Sequence, residues 1–296
     1  MKTDVLAIGE LLVDIISEAY VDNLSQAKMF SMHQGGSPAN VCGNLQWLGA
    51  KAAIVSCIGN DGAGEFILEA LRKTGLTDAY IIKSITHPTS LVLVGRSKGT
   101  PDFIAYRMAD TQIPALSDQL IENSSIIHSC AFALSKNPSQ QNILNAFARA
   151  KAKNKIISID WNFAPSIWGT DNGRGVFEHV CALKPLLKFS LDDTERFIGH
   201  TLSVEDAKSF LTPIPAAVTC LTCGKDGVWY KTAETDWTFT PAVPVAVVKD
   251  TTGAGDAFWA GFLSGYIKMY NTADCVAEGL RIAGMKVQKI GPLYGA

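Results

Sequence analysis

The chain of 296 residues is 47% hydrophobic and only 18% charged, enough apolar material to close one large core. Twenty-six basic against 28 acidic side chains leave a formal charge of −2, which excludes a global field that would recruit nucleic acid or an anionic membrane. Any anion that binds must be held locally.

At the N-terminus Asp4, Glu10 and Asp14 interrupt the apolar stretch, which argues against a secretory signal or a membrane span. Seven scattered cysteines read as small core residues of a reducing, cytoplasmic compartment. Apolar runs at 5–9, 52–59, 125–130, 155–160, 186–190 and 216–222 read as strands and alternate with helix-patterned stretches at 37–49, 63–75, 138–154 and 204–211. That alternation predicts an α/β domain with a mostly parallel sheet, helices on both faces and ligands at the carboxyl ends of the strands. Two segments, about 11–33 and 88–108, break the rhythm. In the second, "TSLVLVG" and "DFIAYRM" read as antiparallel strands around the turn "SKGTP". The two segments are expected to form a small separate β-sheet, a lid over the crevice, with Leu91, Leu93, Phe103 and Ala105 as one apolar face. No repeat or linker divides the chain, so residues 1–296 are read as a single domain. "GNDGAGEF" (59–66) lacks the GxGxxG spacing and reads as a turn and helix cap. In "CLTC" (220–223) the two thiols point to opposite faces of an extended run, which opposes joint metal ligation.

"KDTTGAGDAFWAGF" (249–262) carries the chemistry. The extended "PAVPVAVV" before it and the apolar stretch after it predict a strand-to-helix junction. Gly253, Ala254 and Gly255 present little but main-chain N–H groups, oriented at a helix N-terminus for a phosphate. A carboxylate in the same turn repels a phosphate, so Asp256 costs binding unless it takes the proton of a hydroxyl that attacks that phosphate. A plain aspartate cap after a glycine turn is the alternative these residues leave open. A Walker A loop is excluded, because GxxxxGK[ST] does not occur.

"DTTGAGDAF" (250–258) resembles the C-terminal signature of the PfkB, or ribokinase, family of carbohydrate kinases, and "GGSPANVCGNLQWLGAKAAIVSCIGNDGAGEF" (35–66) resembles its N-terminal signature. The likeness runs from "AIGELLVD" to "KIGP". It implies a ribokinase-like three-layer fold and a kinase that uses ATP and Mg²⁺, with a monovalent cation left open as a further cofactor. It also implies that Asp256 is the catalytic base and that the amides of Gly253, Ala254 and Gly255 stabilise the transferring phosphoryl group. Asp14, Gly35, Gly36 and Asn40 match the family's sugar-binding positions. "DFIAYRMAD" (102–110) resembles the lid segment of bacterial fructokinases, which points Arg107 into the crevice, toward sugar hydroxyls, a substrate carboxylate or the γ-phosphate. "DWNFAPSIW" (160–168) keeps Asp160, Asn162 and Trp168 of a D-x-N-x-R-x-x-x-W pattern but has Ala164 in place of the arginine, which weakens the case for an acid sugar. Asn162 remains a sugar-contact candidate, whereas Trp161 and Trp168 read as packing residues.

"TCGKDG" (222–227) matches the T-x-G-x-x-G nucleotide loop, giving Thr222, Gly224 and Gly227, and Ala283 and Gly284 resemble the small residues beside the adenine. The family's N-x-x-E motif falls on Ser190 and Asp193, which leaves Asp193 to serve Mg²⁺ through water. The resemblance implies a cytoplasmic sugar kinase acting on a primary hydroxyl, fructose to fructose 6-phosphate first. Ribokinase, 2-keto-3-deoxygluconate kinase and nucleoside kinase are the alternatives, and a catalytically weak sugar-binding pseudokinase is the non-enzyme alternative. Sugar and ATP are the expected partners, with no nucleic acid or membrane, in a homodimer joined through the lid.

Overall fold

A computed structural model describes residues 2–97 and 102–294 of the chain. Along its first half run β1 (Thr3–Ile8), β2 (Leu12–Ser17), β3 (Phe30–Gly35), α1 (Ser37–Trp47), β4 (Ala52–Gly59), α2 (Gly62–Lys73), β5 (Ile81–Ser84), β6 (Leu91–Gly95) and β7 (Asp102–Tyr106). Then come α3 (Asp118–Glu122), β8 (Ser124–Cys130), α4 (Ser139–Ala152), β9 (Ile156–Asp160), α5 (Pro165–Trp168), α6 (Arg174–Cys181) and β10 (Leu186–Ser190). The last third holds α7 (Leu191–Ile198), α8 (Val204–Leu211), β11 (Val218–Thr222), β12 (Gly227–Thr232), β13 (Thr238–Pro241), α9 (Ala254–Ile267) and α10 (Thr272–Val287).

Among the described residues the large sheet has nine strands in the order β13-β12-β11-β10-β9-β8-β1-β4-β5. From β11 to β5 every pairing is parallel, whereas at the other edge both β11–β12 and β12–β13 pair antiparallel. The period of two along each strand explains the three layers. In β1, Leu6 and Ile8 pack into the core that contains Ile143 and Phe147 of α4, while Val5 packs with Val41 of α1 and Phe258 of α9 on the other face. The same division recurs in β10, where Leu187 and Phe189 face one way and Leu186 the other. Trp161 and Trp168 lie in the first core, within 6.0 Å of each other, so both pack as expected.

The connection that leads into α9 differs from the predicted strand-to-helix junction. The last strand ends at Pro241, and residues 242–253 carry no strand pairing. Pro241 and Pro244 lack the N–H that a ladder needs, which stops the sheet short of the glycine turn. Asp61 caps α2 by accepting from the Gly64 amide at 2.8 Å, the turn-and-cap role expected of 59–66. Cys220 is buried in β11 and Cys223 lies past its end; neither is joined to another cysteine.

The lid is a four-stranded sheet in the order β3-β2-β6-β7. Its outer pairs are antiparallel, but β2 and β6, which come from the two separate segments, pair in parallel. The expected apolar face is corrected by the register: Leu91 pairs with Tyr106 and Leu93 with Ile104, whereas Ala105 pairs with Val92 and Phe103 with Val94. Leu91 and Leu93 therefore lie on one face and Phe103 and Ala105 on the other, the face that carries Asp14 opposite Val92. The turn "SKGTP" lies, beyond Ser97, outside the described residues.

Candidate active site

The mouth of α9 is built on Gly253, the N-cap, at φ 72° and ψ 9°. An L side chain is strained in that left-handed conformation, so the tight entry into the helix requires glycine. The Ala254 amide donates to the Thr251 carbonyl at 3.1 Å and is spent on the turn. The amides of Gly255 and Asp256 follow in the first helical turn, where N–H groups have no intrahelical acceptor. Asp256 is held from across the molecule: its carboxylate accepts from Ser37 Oγ at 2.7 Å and from Asn40 Nδ2 at 2.9 Å, both on the first turns of α1. Burial, then the charge of Asp160, raises its pKa, while the donors Ser37 and Asn40 and the Lys188 ammonium oppose the rise.

The lid brings a second carboxylate to this point. Asp14 pairs in β2 opposite His33 of β3, two residues before Gly35. A Cβ on Gly35 would stand 2.4 Å from Asp14 Oδ2, so the diglycine leaves room for this side chain. Burial and the charge of Asp256 push the Asp14 pKa up to about 7. Gly36 begins α1 at φ 108° with its main chain against the Glu10 carbonyl. Glu10 in turn accepts from the Ser37 amide at 2.9 Å, and burial raises its pKa to about 7. The Tyr294 hydroxyl donates to Asn40 Oδ1 at 3.2 Å, which fixes the amide so that its N–H₂ faces Asp256.

Behind the turn lies a buried ion pair. Lys188 Nζ, from β10, is 2.8 Å from both carboxylate oxygens of Asp160 at the end of β9. A Cβ on Gly255 would stand 3.2 Å from Lys188 Nζ, so the ammonium sits directly under the helix entrance. Burial disfavours this ammonium, but the charges of Asp160 and Asp193 outweigh it and raise its pKa. Asp193 accepts from Ser190 Oγ at 2.5 Å and pairs with Arg196 at 2.9 Å. Burial raises its pKa to about 6 against the pull of Lys188. Both of its oxygens are thus engaged, which suits contact with a metal ion only through water. No cluster of three or more metal-ligating side chains occurs among the described residues.

Two further sugar-contact candidates converge on the loop after β8. Asn162 Oδ1 accepts from the Phe132 amide at 3.1 Å. Arg107 is 2.5 Å from Asp110 Oδ2, donates to Ser135 Oγ at 2.8 Å and to the Phe132 carbonyl at 3.2 Å, and stacks on the Phe132 ring at 4.1 Å. Its side chain is 7% exposed, so it braces the crevice wall with most of its donors engaged. Of the nucleotide-loop candidates, Thr222 closes β11 and donates to the Phe189 carbonyl at 3.4 Å. Gly224 and Gly227 flank the turn into β12, where Gly227 pairs with Pro241. Ala283 and Gly284 lie on α10; a Cβ on Gly284 would stand 3.5 Å from Val245 of the connection into α9.

Sequence reasoning passed over Glu10, Ser37, Lys188 and Tyr294. A signal existed for two of them: Lys188 is a lone charge in the apolar run "LLKFS", and Glu10 follows a buried strand. Ser37 and Tyr294 act only through tertiary contacts, which no local pattern encodes.

The chain matches the pfkB family carbohydrate kinase over residues 2–295. It is 37% identical to an ATP-dependent 6-phosphofructokinase of Thermoanaerobacterium thermosaccharolyticum, an alignment that covers 99% of this chain and 90% of the relative. Its structure superposes on a fructokinase of Halothermothrix orenii with a TM-score of 0.84 at 32% identity, covering 95% and 98% of the two chains. An uncharacterized sugar kinase of Pyrococcus horikoshii, solved in complex with ATP, gives a TM-score of 0.84 at 27% identity and covers 97% and 93%. The three-layer architecture with its lid is thus the ribokinase-like fold. With likeness in sequence and in structure extending over almost its whole length, the chain belongs to the pfkB family of carbohydrate kinases and is an ATP-dependent sugar kinase, a phosphotransferase with an alcohol group as acceptor.

Proposed function

We propose that this kinase transfers the γ-phosphoryl group of Mg²⁺-bound ATP to a primary hydroxyl of free fructose, giving fructose 6-phosphate and ADP. The observation that carries the reading is Asp256, placed in the first turn of α9 and held by Ser37 and Asn40. As the acceptor oxygen bonds to phosphorus, its proton passes to an Asp256 carboxylate oxygen and the bond to ADP breaks with its electron pair on ADP. Charge on the transferring group meets the amides of Gly253 and Gly255, with Lys188 beneath them. Mg²⁺ bound with the nucleotide supplies charge neutralisation, and Asp193 would reach its hydration shell. Asp14, Gly35, Gly36 and Asn40 bind the sugar hydroxyls, and Asn162 and Arg107 support that wall through the Phe132 loop. The nucleotide lies between Thr222, Gly224 and Gly227 on one side and Ala283 and Gly284 on the other. The exposed Val247 and Val248 of the adjoining connection offer apolar surface for its base.

A neutral sugar suits the charges present: Asp256 bears on Asp14 and Asp160 bears on Asp256, and Arg107 is already neutralised by Asp110. Fructose 6-phosphate is the second reading, favoured by the name of the 37% identical relative. ADP release should be measured with fructose, fructose 6-phosphate, ribose, 2-keto-3-deoxygluconate and adenosine. Fructose is expected to lead in kcat/KM by at least about tenfold, or about 1.4 kcal/mol of differential transition-state binding. A lead for fructose 6-phosphate would transfer the assignment to the second reading. With the best acceptor, Asp256→Asn should lower turnover by roughly 10² or more while ATP still binds. Near-normal turnover would remove Asp256 from the role of base.

We also propose a lid-to-lid homodimer, supported by exposed apolar side chains on the lid at Met32, Ile104 and Tyr106. A cytoplasmic setting is supported by six buried free thiols.

A further inference from the structure

Lys286, in the last turn of α10, is only 5% exposed. Its ammonium faces three oxygens: Asp250 Oδ2 at 3.2 Å, the Asp250 carbonyl at 3.4 Å and the Lys289 carbonyl at 3.4 Å. These come from two separate connections, one leading into α9 and one leaving α10. The same carboxylate accepts from the Thr252 amide at 3.0 Å and the Gly291 amide at 3.4 Å, and the Val287 carbonyl accepts from the amides of Lys249 and Asp250. Burial raises the Asp250 pKa, but the Thr252 hydrogen bonds and the Lys286 charge outweigh it and hold the carboxyl below its ordinary value. Lys286 Cε would stand 3.9 Å from a Cβ on Gly253. One buried cation thus ties both connections together directly beside the glycine turn.

Main-chain carbonyls plus a carboxylate are the donors that replace the water shell of a bare monovalent cation. A lysine ammonium is a compact unit charge that uses the same oxygens but is covalently attached. A free K⁺ entering this cage would meet the ammonium as a like charge at close range. We infer that Lys286 is a built-in cation that positions the phosphate-binding turn, so that this kinase needs no monovalent ion for activity. The inference rests on the kinase assignment and not on the choice of sugar.

The test compares thermal unfolding and turnover in a choline buffer with and without K⁺ or Na⁺ at equal ionic strength, on the wild-type chain and on Lys286→Met. Wild type should show neither a rise in melting temperature nor a gain in turnover. Lys286→Met should melt lower and turn over roughly tenfold or more slower in choline, and K⁺ should raise both, since an ion that binds only the folded state stabilises it. A wild-type enzyme stimulated severalfold by K⁺ would overturn the inference, and that arm is decisive even if the variant does not fold. A Lys286→Met enzyme equal to wild type in choline, or one impaired alike in choline and K⁺, would overturn it too. Thermal unfolding needs no acceptor, so a wrong sugar assignment leaves this readout intact.

Discussion

Asp14 and Asp256 share one electrostatic field, and its consequence is a pH dependence of definite sign. The Asp14 pKa is raised from an ordinary 3.8 to about 7, so at intermediate pH the folded chain keeps a proton that the unfolded chain has lost. Its contribution to stability therefore falls as pH rises from about 4 to about 7 and changes no further above that. If Asp14 binds the sugar as the ionised carboxylate, as proposed, kcat/KM should rise over the same window while the fold loosens. Asp14→Asn should flatten the acid limb of kcat/KM and reduce the fall in melting temperature between pH 5 and pH 7; Glu10, also raised to about 7, retains a share of that fall. An unchanged limb in Asp14→Asn would show that Asp14 does not govern it. The identities of Asp14, Asn40 and Asp256 were legible because they stand in patterned stretches of sequence. Their ionisation was not, since desolvation depends on which groups the fold brings together.

At the scale of elements, α9 and its entrance are the piece on which the proposed phosphoryl transfer would depend. Gly253→Val would force a branched side chain into a left-handed conformation and push the entrance away from a phosphate. Turnover should fall by roughly 10² or more, while the buried body of α9, where Trp259 stacks on Phe262 at 4.7 Å, holds the helix in place. Full turnover in a folded variant would mean that the phosphate is stabilised elsewhere. Six of the parallel strands were readable as mostly apolar runs, because they are buried on both faces; the half-exposed edge strand β5 was not. The β12–β13 hairpin and the parallel β2–β6 junction were not. The first is short, with exposure confined to β13, and the second joins segments far apart in sequence, where local periodicity carries no information about partners.

At the scale of the whole molecule, the lid both supplies Asp14 and leaves Met32, Ile104 and Tyr106 each more than two-fifths exposed. These three share a face by register, with Met32 opposite Ile15, Ile15 opposite Leu93 and Leu93 opposite Ile104, while Tyr106 lies opposite Leu91. Burying that face against a second copy would relieve the exposure. Ile104→Asp should then turn dimers into monomers and raise the sugar KM, because the lid loses its support, without changing the environment of Asp256. Light scattering that finds a wild-type monomer at micromolar concentration would refute the dimer. The pairing across the active site has a different consequence. Asp256 meets Ser37 and Asn40 across 219 and 216 positions of chain, and Asn40 meets Tyr294 across 254. Contacts of such separation cost chain entropy before they return any stability, so they should close late on the folding pathway. Recovered phosphotransfer should therefore time the final closure of the chain's two ends and lag the helical circular-dichroism signal, which depends on contacts within each helix.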